Sequence, residues 1–491
     1  MSRAHVFKLV AGLFLCALAP TLFATLPGMV DYPDHLARIA LLARAGGADA
    51  NPYYFAAWAP LPNVALDALA TPLARWIGPA AAVMLFYAAA QALVLSGAAA
   101  LEIAVKGAAQ LHPLIAAGCL FNAAFALGFL NFEFGVGLAL WALAGWAALG
   151  PERLGARAAL ALMAEPALYF SHLFALGAFG FVAGLIIFAR VLTRRRTLPG
   201  AALDFAILAA PALALELLLD PGGATGGARW FFEGKIATIL LCFNGADAML
   251  ARADALIALV AVAALAAARR VSLAREGVVV ALGLAALYAA LPSTWRGGAL
   301  VDLRALVVAM FVMPAYLDVR FPGRRAALLA SMAALAFVAL NIGAVALHWR
   351  ALAPDQAAMI ASFAKLPARA KVLVAYTGEG EFPEPLRHVA TLAAGEGDAF
   401  VADLFAYRGQ QPLAAAPGVA DLVIPEQMDM PTPKTLRDAL RDPAAARPYV
   451  RDWRKRFDAL YVVGPRAANP APGALIPLAS GERFDLYRIV R

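Results

Sequence analysis

The first 350 residues of this 491-residue chain consist mostly of successive apolar segments, each close to 20 residues long. A hydrocarbon core about 30 Å thick needs about 20 apolar residues per crossing helix. The chain is 63% hydrophobic and only 15% charged, whereas a soluble domain carries roughly 25% charged residues. The sequence therefore predicts a mostly α-helical, polytopic membrane protein with about eleven spans. The predicted spans are 6–26, 80–105, 112–130, 133–150, 157–171, 173–192, 201–219, 254–268, 276–291, 303–318 and 326–348.

Basic residues predict the orientation of these spans. If the spans alternate in direction, every Lys/Arg cluster falls on one side, which the positive-inside rule assigns to the cytoplasm. The clusters are Arg3 with Lys8, Lys106, Arg153 with Arg157, Arg194–Arg196, Arg269 with Arg270, and Arg320 with Arg324 and Arg325. The N-terminus is then cytoplasmic, and the net charge of +8 reflects topology rather than a nucleic-acid partner. An odd number of spans places everything after His348 outside.

The composition changes near residue 350. Charged residues and Pro become frequent, and β-like runs at 371–376, 459–463 and 484–489 are separated by turn and helical stretches. We therefore predict two domains: a transmembrane domain over 1–350, with its first outer loop at 27–79, and a soluble α/β domain over 351–491 on the outer (periplasmic or extracellular) face.

The predicted topology collects polar residues at the outer face. Carboxylates and cations on one side of the membrane are what the transfer of a group from an anionic donor requires. The candidates are Asp31, Asp34, His35 and Arg38 after the first span, Asn131 and Glu133, His172, Lys235, and Arg296 and Arg304.

The densest of these stretches is Asp31-Tyr-Pro-Asp-His-Leu-Ala-Arg38. Pro33 suits the first turn of a helix that would lie along the membrane surface with Leu36 and Ile39 on its apolar face. Asp34 and Arg38 are one helical turn apart and could pair, whereas Asp31 precedes the helix. A solvated interfacial helix with an ordinary ion pair remains the alternative interpretation of these residues.

The position of this acidic stretch, the long first outer loop, the eleven spans and the outer C-terminal domain together resemble the C-type (GT-C) superfamily of integral-membrane glycosyltransferases. Members of that superfamily use polyprenyl-phosphate-linked sugars as donors. The resemblance implies hexosyl or pentosyl transfer with inversion, at the outer face of a bacterial inner membrane. The acceptor, whether glycan, lipid or protein, is left open.

Such a reaction needs a carboxylate to take the proton of the acceptor hydroxyl, and cations to hold the departing lipid phosphate. Asp31 is the predicted base, with Asp34 as the second catalytic candidate. The predicted substrate-binding residues are His35, Arg38, Asn131, Glu133, His172, Lys235, Arg296 and Arg304, of which Arg304 is the leading phosphate ligand. A divalent metal is neither predicted nor excluded, because the spacing of the acids does not decide it.

Two other classes compete with this interpretation. A transporter or flippase would line an alternating-access path with intramembrane charges. A non-catalytic envelope assembly protein would use the outer domain to bind a partner. The crowding of polar residues at one face and the lack of a detectable repeat favour the enzyme over the transporter, and an assembly protein would not need the acidic stretch.

Overall fold

A computed structural model describes residues 3–219, 227–295, 298–378, 384, 386–424, 430–465 and 469–491. Its α-helices are α1 (Arg3–Leu18), α2 (Tyr32–Arg44), α3 (Ala65–Ile77), α4 (Pro79–Lys106), α5 (His112–Gly118), α6 (Ala123–Leu127), α7 (Leu130–Ala148), α8 (Leu154–Ser171), α9 (Leu173–Leu192), α10 (Leu198–Leu218), α11 (Lys235–Leu241), α12 (Ala248–Ala267), α13 (Gly277–Ala290), α14 (Val301–Val312), α15 (Arg324–Ala361), α16 (Leu392–Glu396), α17 (Pro433–Arg441) and α18 (Trp453–Arg456). Its β-strands are β1 (Tyr54–Ala56), β2 (Val271–Leu273), β3 (Thr294–Trp295), β4 (Gly298–Ala299), β5 (Leu317–Val319), β6 (Lys371–Tyr376), β7 (Phe400–Val401), β8 (Leu413–Ala415), β9 (Ala459–Val463), β10 (Leu475–Ser480) and β11 (Phe484–Ile489).

Within the described residues, 7 helices are long and apolar enough to cross a membrane. They are Ala4–Phe23, Pro79–Lys106, Leu130–Ala148, Leu173–Leu192, Leu198–Leu218, Ala248–Ala267 and Arg324–Lys365. Each overlaps a predicted span, although Arg324–Lys365 continues well past the span predicted at 326–348. The protein is therefore a multi-pass membrane protein, as the hydropathy pattern predicted.

The remaining predicted spans form shorter or less apolar helices. The span predicted at 112–130 is divided into α5 and α6, because the side chain of Asn122 caps α6 by accepting from the backbone N–H groups of Ala124 and Phe125. Gly128, with φ of 89°, then ends α6 in the left-handed conformation that glycine adopts without strain. The spans predicted at 157–171, 276–291 and 303–318 correspond to α8, α13 and α14, of 18, 14 and 12 residues.

The chain divides into two compact units. The helical unit comprises Met1–Leu22, Pro62–Ala65 and Tyr87–Ala346, and the loop–sheet unit comprises Phe23–Leu61, Leu66–Phe86 and Leu347–Arg491. Much of the first loop is thus part of the same unit as the C-terminal segment.

In the helical unit, small residues allow α4 and α7 to approach closely. A Cβ atom on Gly137 of α7 would lie 2.5 Å from the Cβ atom of Leu93, and one on Gly97 of α4 would lie 2.8 Å from that of Leu140. Small residues at helix contacts are the usual way in which membrane helices maximise van der Waals packing.

The loop–sheet unit is built around a five-stranded sheet of order β10-β11-β9-β6-β7. Strands β6, β7 and β9 are parallel, whereas β11 runs antiparallel to β9 and β10. The three β-like runs of the sequence are β6, β9 and β11, which confirms the predicted α/β character of the C-terminal segment. A strand of the first loop joins the same unit, because β1 pairs with β8 in register Tyr54 to Ala415.

Candidate active site

Asp31 lies at the N-terminal end of α2, in the loop–sheet unit. It occupies the position before the first helical residue, but its side chain makes no capping hydrogen bond. The carboxylate instead points to the C-terminal segment, where its Oδ1 atom lies 3.7 Å from Nε2 of His388. Asp31 retains 6% of its surface. A proline in the first turn starts the helix immediately after it, which fixes the backbone that carries this carboxylate.

His388 is enclosed between two carboxylates. Its Nδ1 atom lies 3.3 Å from Oδ2 of Asp403, on the side of the ring opposite Asp31. The same Asp403 oxygen accepts a 2.8 Å hydrogen bond from the hydroxyl of Tyr376. Burial raises the pKa of Tyr376 well above its usual value, so the phenol keeps its proton and acts as the donor.

Asp34 is completely buried and holds α2 to the segment after β7. Both of its carboxylate oxygens accept from the backbone N–H of Phe405, at 3.1 and 3.2 Å. Burial raises the pKa of Asp34 well above its usual value, opposed by Arg38 and the Phe405 N–H and reinforced by Asp403 and Asp31. This geometry favours a structural role for Asp34 over an exchange of protons with a substrate.

Arg38 forms its ion pair with Asp67 of α3. Nε and Nη2 of Arg38 donate to the two carboxylate oxygens of Asp67 at 2.6 and 3.1 Å, and Nη2 also lies 3.2 Å from Nδ1 of His35. The pairing of Arg38 with Asp34 that the sequence suggested is therefore not the one formed.

The polar face of α2 is buried, in contrast to the surface helix that the sequence predicted. Asp34 is 0% exposed and Arg38 1%. The partners come from elsewhere in the chain: the Phe405 N–H bonds Asp34 and the Asp67 carboxylate bonds Arg38. Gly395 of α16 also packs closely on α2, where a Cβ atom on it would lie 3.0 Å from the Cα atom of Ala37.

In the helical unit, Asn131 and Glu133 occupy the first turn of α7. The amide of Asn131 donates to the backbone oxygen of Asn63 at 2.8 Å, and Glu133 accepts at 3.0 Å from the amide of Asn122. Glu133 thereby supports the residue that caps α6. A buried acid of this kind needs a partner, and here the partner is a structural one.

His172 and Arg304 are also in the helical unit, near enough for the charge of Arg304 to act on the imidazole. Nδ1 of His172 accepts from the backbone N–H of Phe174, which caps α9. The Arg304 guanidinium lies 4.6 Å from the centre of the Phe129 ring, and its Nη1 atom donates to the backbone oxygen of Ala299.

Lys235 has bonds for all three of its ammonium protons. They go to the backbone oxygens of Tyr288 and Leu291, both at 3.0 Å, and to Oδ2 of Asp302 at 3.1 Å. The ammonium group also lies 4.7 Å from the centre of the Tyr288 ring. This arrangement fastens α11 to α13 and α14. Arg296, another predicted cation, lies outside the described residues.

No group of three or more His, Cys, Asp or Glu side chains within the described residues is arranged to hold a metal ion. The carboxylates of Asp31 and Asp403 are separated by the His388 ring rather than directed at a common point.

His388, Asp403 and Tyr376 are not among the residues that the sequence predicted for the candidate site. Tyr376 ends β6, and Asp403 follows β7 by two residues, so both lie at the carboxyl edge of parallel strands. Polar residues just beyond that edge are often functional in α/β sheets. That signal was present once β6 had been recognised, whereas nothing in the sequence linked this edge to Asp31.

The known proteins that this chain resembles are found among solved structures. The sequence matches no protein-family model and no curated protein. Among solved structures, it is similar to the crystal structure of ArnT from Cupriavidus metallidurans bound to undecaprenyl phosphate. The TM-score is 0.50 with 12% sequence identity, over 99% of this chain and 98% of that one.

The chain has the GT-C fold. The likeness extends over the transmembrane helices and the C-terminal segment alike, and it confirms the fold class that the sequence predicted. At 12% identity this likeness establishes the fold alone, since proteins that share a fold can differ in activity.

Proposed function

We propose that this protein is a membrane glycosyltransferase that moves a sugar from a polyprenyl-phosphate donor to an acceptor hydroxyl. The observation that carries the proposal is the position of Asp31: in a chain with the GT-C fold, its carboxylate follows the first membrane helix and lies against a buried imidazole. The structural neighbour was crystallised with undecaprenyl phosphate, which supports a lipid of that class as the donor's carrier.

Asp31 is the proposed general base. The acceptor oxygen attacks the anomeric carbon, the bond from that carbon to the phosphate oxygen breaks with its electrons on the phosphate, and the acceptor proton passes to the Asp31 carboxylate. A single displacement of this kind inverts the anomeric centre. Asp31 suits the role because its side chain is neither used as a helix cap nor completely buried.

Arg304 is the proposed ligand of the lipid phosphate. A guanidinium presents a planar set of donors that matches phosphate oxygens and stays charged throughout the reaction. His172 stays a proposed phosphate-binding residue because it is near enough to feel the charge of Arg304. Lys235 is a weaker candidate than the sequence suggested, because its three donors are already bonded within the protein.

The remaining predicted binding residues are proposed to support the site rather than to contact substrate. Arg38 and His35 form a buried network with Asp67, and Asn131 and Glu133 hold neighbouring backbone and side-chain groups. Transfer of a hexosyl or pentosyl group with inversion, the placement of these groups at the outer face and the bacterial inner membrane as location stay predictions.

The proposal is tested with the full-length protein in nanodiscs and a panel of undecaprenyl-phosphate sugars, with release of undecaprenyl phosphate as the readout. Because the acceptor is unidentified, a membrane extract from the expression host and short alcohols serve as acceptor probes. We expect at least one donor to release undecaprenyl phosphate in an acceptor-dependent way. Protein-dependent flipping of an undecaprenyl-phosphate sugar across reconstituted vesicles, with no release of undecaprenyl phosphate, would instead identify a flippase.

A further inference from the structure

Asp31 lies beside a buried histidine, which a carboxylate acting alone as a general base does not need. His388 is 1% exposed and lies between the carboxylates of Asp31 and Asp403, 3.7 and 3.3 Å away. Among the described residues, neither ring nitrogen has a hydrogen bond to any other group. A buried imidazole usually finds such a partner, so its orientation towards two acids calls for an explanation.

The backbone of His388 is in a strained conformation. Its φ of 64° lies in the left-handed region, which for a residue other than glycine is populated only when the surroundings impose it. The N–H of His388 donates to the hydroxyl of Tyr376, and its carbonyl oxygen accepts from both the N–H and the hydroxyl of Thr391. Strain retained at a buried titratable residue is typical of functional sites.

Proton counting shows what this arrangement can do. A neutral imidazole has one donor and one acceptor nitrogen, so it satisfies only one of two ionised carboxylates; the imidazolium donates to both. When both acids are ionised and His388 is neutral, only one of the two carboxylates can accept a hydrogen bond from the ring. One added proton gives the ring a second N–H donor, so that both carboxylates can accept. The Tyr376 hydroxyl also stabilises the Asp403 carboxylate by donating to it.

We propose that His388 is the positioning residue for Asp31, and that the array Asp31–His388–Asp403, rather than Asp31 alone, takes up the proton removed from the acceptor. The proposal rests on the glycosyltransferase function proposed above. The proton leaves the acceptor oxygen as its bond to the anomeric carbon forms, reaches Asp31, and passes to Nε2 of His388, whose Nδ1–H faces Asp403. The leaving phosphate keeps the electron pair of the broken bond, so no further reactant is required.

The groups around His388 define what a pH experiment reports. Among the described residues they are Asp31 and Asp34 from the first loop, Asp403 and Tyr407 after β7, Tyr376 at the end of β6 and the neighbouring Arg387. The Phe405 and His388 rings pack edge to face with their centres 5.0 Å apart, which shields the array from water on that side.

The first test is the kinetics of His388→Gln. We expect kcat to fall about 100-fold, as for loss of a group that takes part in proton transfer, with KM for the undecaprenyl-phosphate sugar unchanged and the pH profile of kcat/KM displaced. The matched control is His112→Gln, which removes a buried histidine of the helical unit whose Nε2 contacts the Phe311 oxygen. It should lower thermal stability and leave the pH profile as in the wild type.

Two further measurements test the roles of His388 and Asp403. If His388→Gln does not fold, Asp403→Asn should show the same loss of kcat, and wild-type kcat in Asp403→Asn would overturn the inference. Independently of activity, the ring signals of His388 in 15N-histidine NMR, assigned by their loss in His388→Gln, should shift in Asp31→Asn. Unchanged signals would overturn the inference. If the signals shift but the protein transfers no sugar, Asp31 and His388 are coupled and the proposed glycosyltransferase function is wrong.

Discussion

Arg38 of α2 and Asp67 of α3 form a two-bond ion pair in the interior of the loop–sheet unit, with donor–acceptor distances of 2.6 and 3.1 Å. Their side chains are 1% and 0% exposed. Because α2 begins directly after Asp31, this pair fixes the helix that carries the proposed base. The Arg38 guanidinium also contacts His35, so it holds both the His35 and the Asp67 side chains in place.

Asp67→Asn should destabilise the protein without changing the residues proposed to react. Removing one partner of a buried ion pair leaves the other charge uncompensated, which costs about 3–5 kcal/mol. The free energy of unfolding of the loop–sheet unit, followed by denaturant titration in detergent, measures this loss.

The double variant Arg38→Met, Asp67→Leu is the control for that prediction. Replacing both charges with apolar residues of similar volume is often neutral, so much of the lost stability should return. If the double variant is less stable than Asp67→Asn alone, the ion pair is not the reason for the single variant's defect.

Asp34 predicts a specific pH dependence of stability. Its pKa is raised in the folded protein, chiefly by burial, so the folded state holds a proton that the unfolded chain releases. The stability contributed by this group is complete below the ordinary carboxyl pKa and is lost as the pH rises through the raised value. Asp34→Asn keeps an oxygen for the Phe405 N–H and removes the titration.

Thermal unfolding of wild type and Asp34→Asn at a series of pH values checks this sign. The midpoint of the wild type should fall relative to that of the variant as the pH increases. Parallel curves would mean that Asp34 stays ionised in the folded protein.

Arg304 and Lys235 form a matched pair of cations with different expected effects. Arg304→Gln should raise KM for the undecaprenyl-phosphate sugar about tenfold, the equivalent of about 1.4 kcal/mol, which a charged hydrogen bond supplies. Lys235→Met should leave KM unchanged and lower stability, because it removes three internal hydrogen bonds. If the two variants change KM equally, the assignment of Arg304 as a phosphate ligand and of Lys235 as a structural residue is wrong.

Much of the fold was predictable from sequence because two kinds of segment stand out in it. Apolar segments of about 20 residues located the membrane helices, and short runs rich in β-branched and aromatic residues located β6, β9 and β11. The division of the predicted span at 112–130 was harder to see, since it depends on the side chain of Asn122 turning back to cap α6.

The candidate site was predictable only in part. The sequence predicted Asp31 as the base from its place after the first membrane helix, and in the structure Asp31 lies against His388. The partners of that residue come from more than 300 positions away, so no local pattern links them. The sequence likewise suggested a solvated face for α2, because the groups that bury its polar residues, the Phe405 backbone and the Asp67 side chain, are brought there by the fold.

The central claim is that the Asp31 carboxylate takes the acceptor's proton, and the direct test is the rate at which Asp31→Asn releases undecaprenyl phosphate from an undecaprenyl-phosphate sugar. Asparagine keeps the shape of the side chain and cannot act as the base. With folding verified by the thermal unfolding midpoint, and Asp34→Asn as the neighbouring control, we expect release by Asp31→Asn to be abolished and release by Asp34→Asn to persist. Wild-type release by Asp31→Asn would contradict the account.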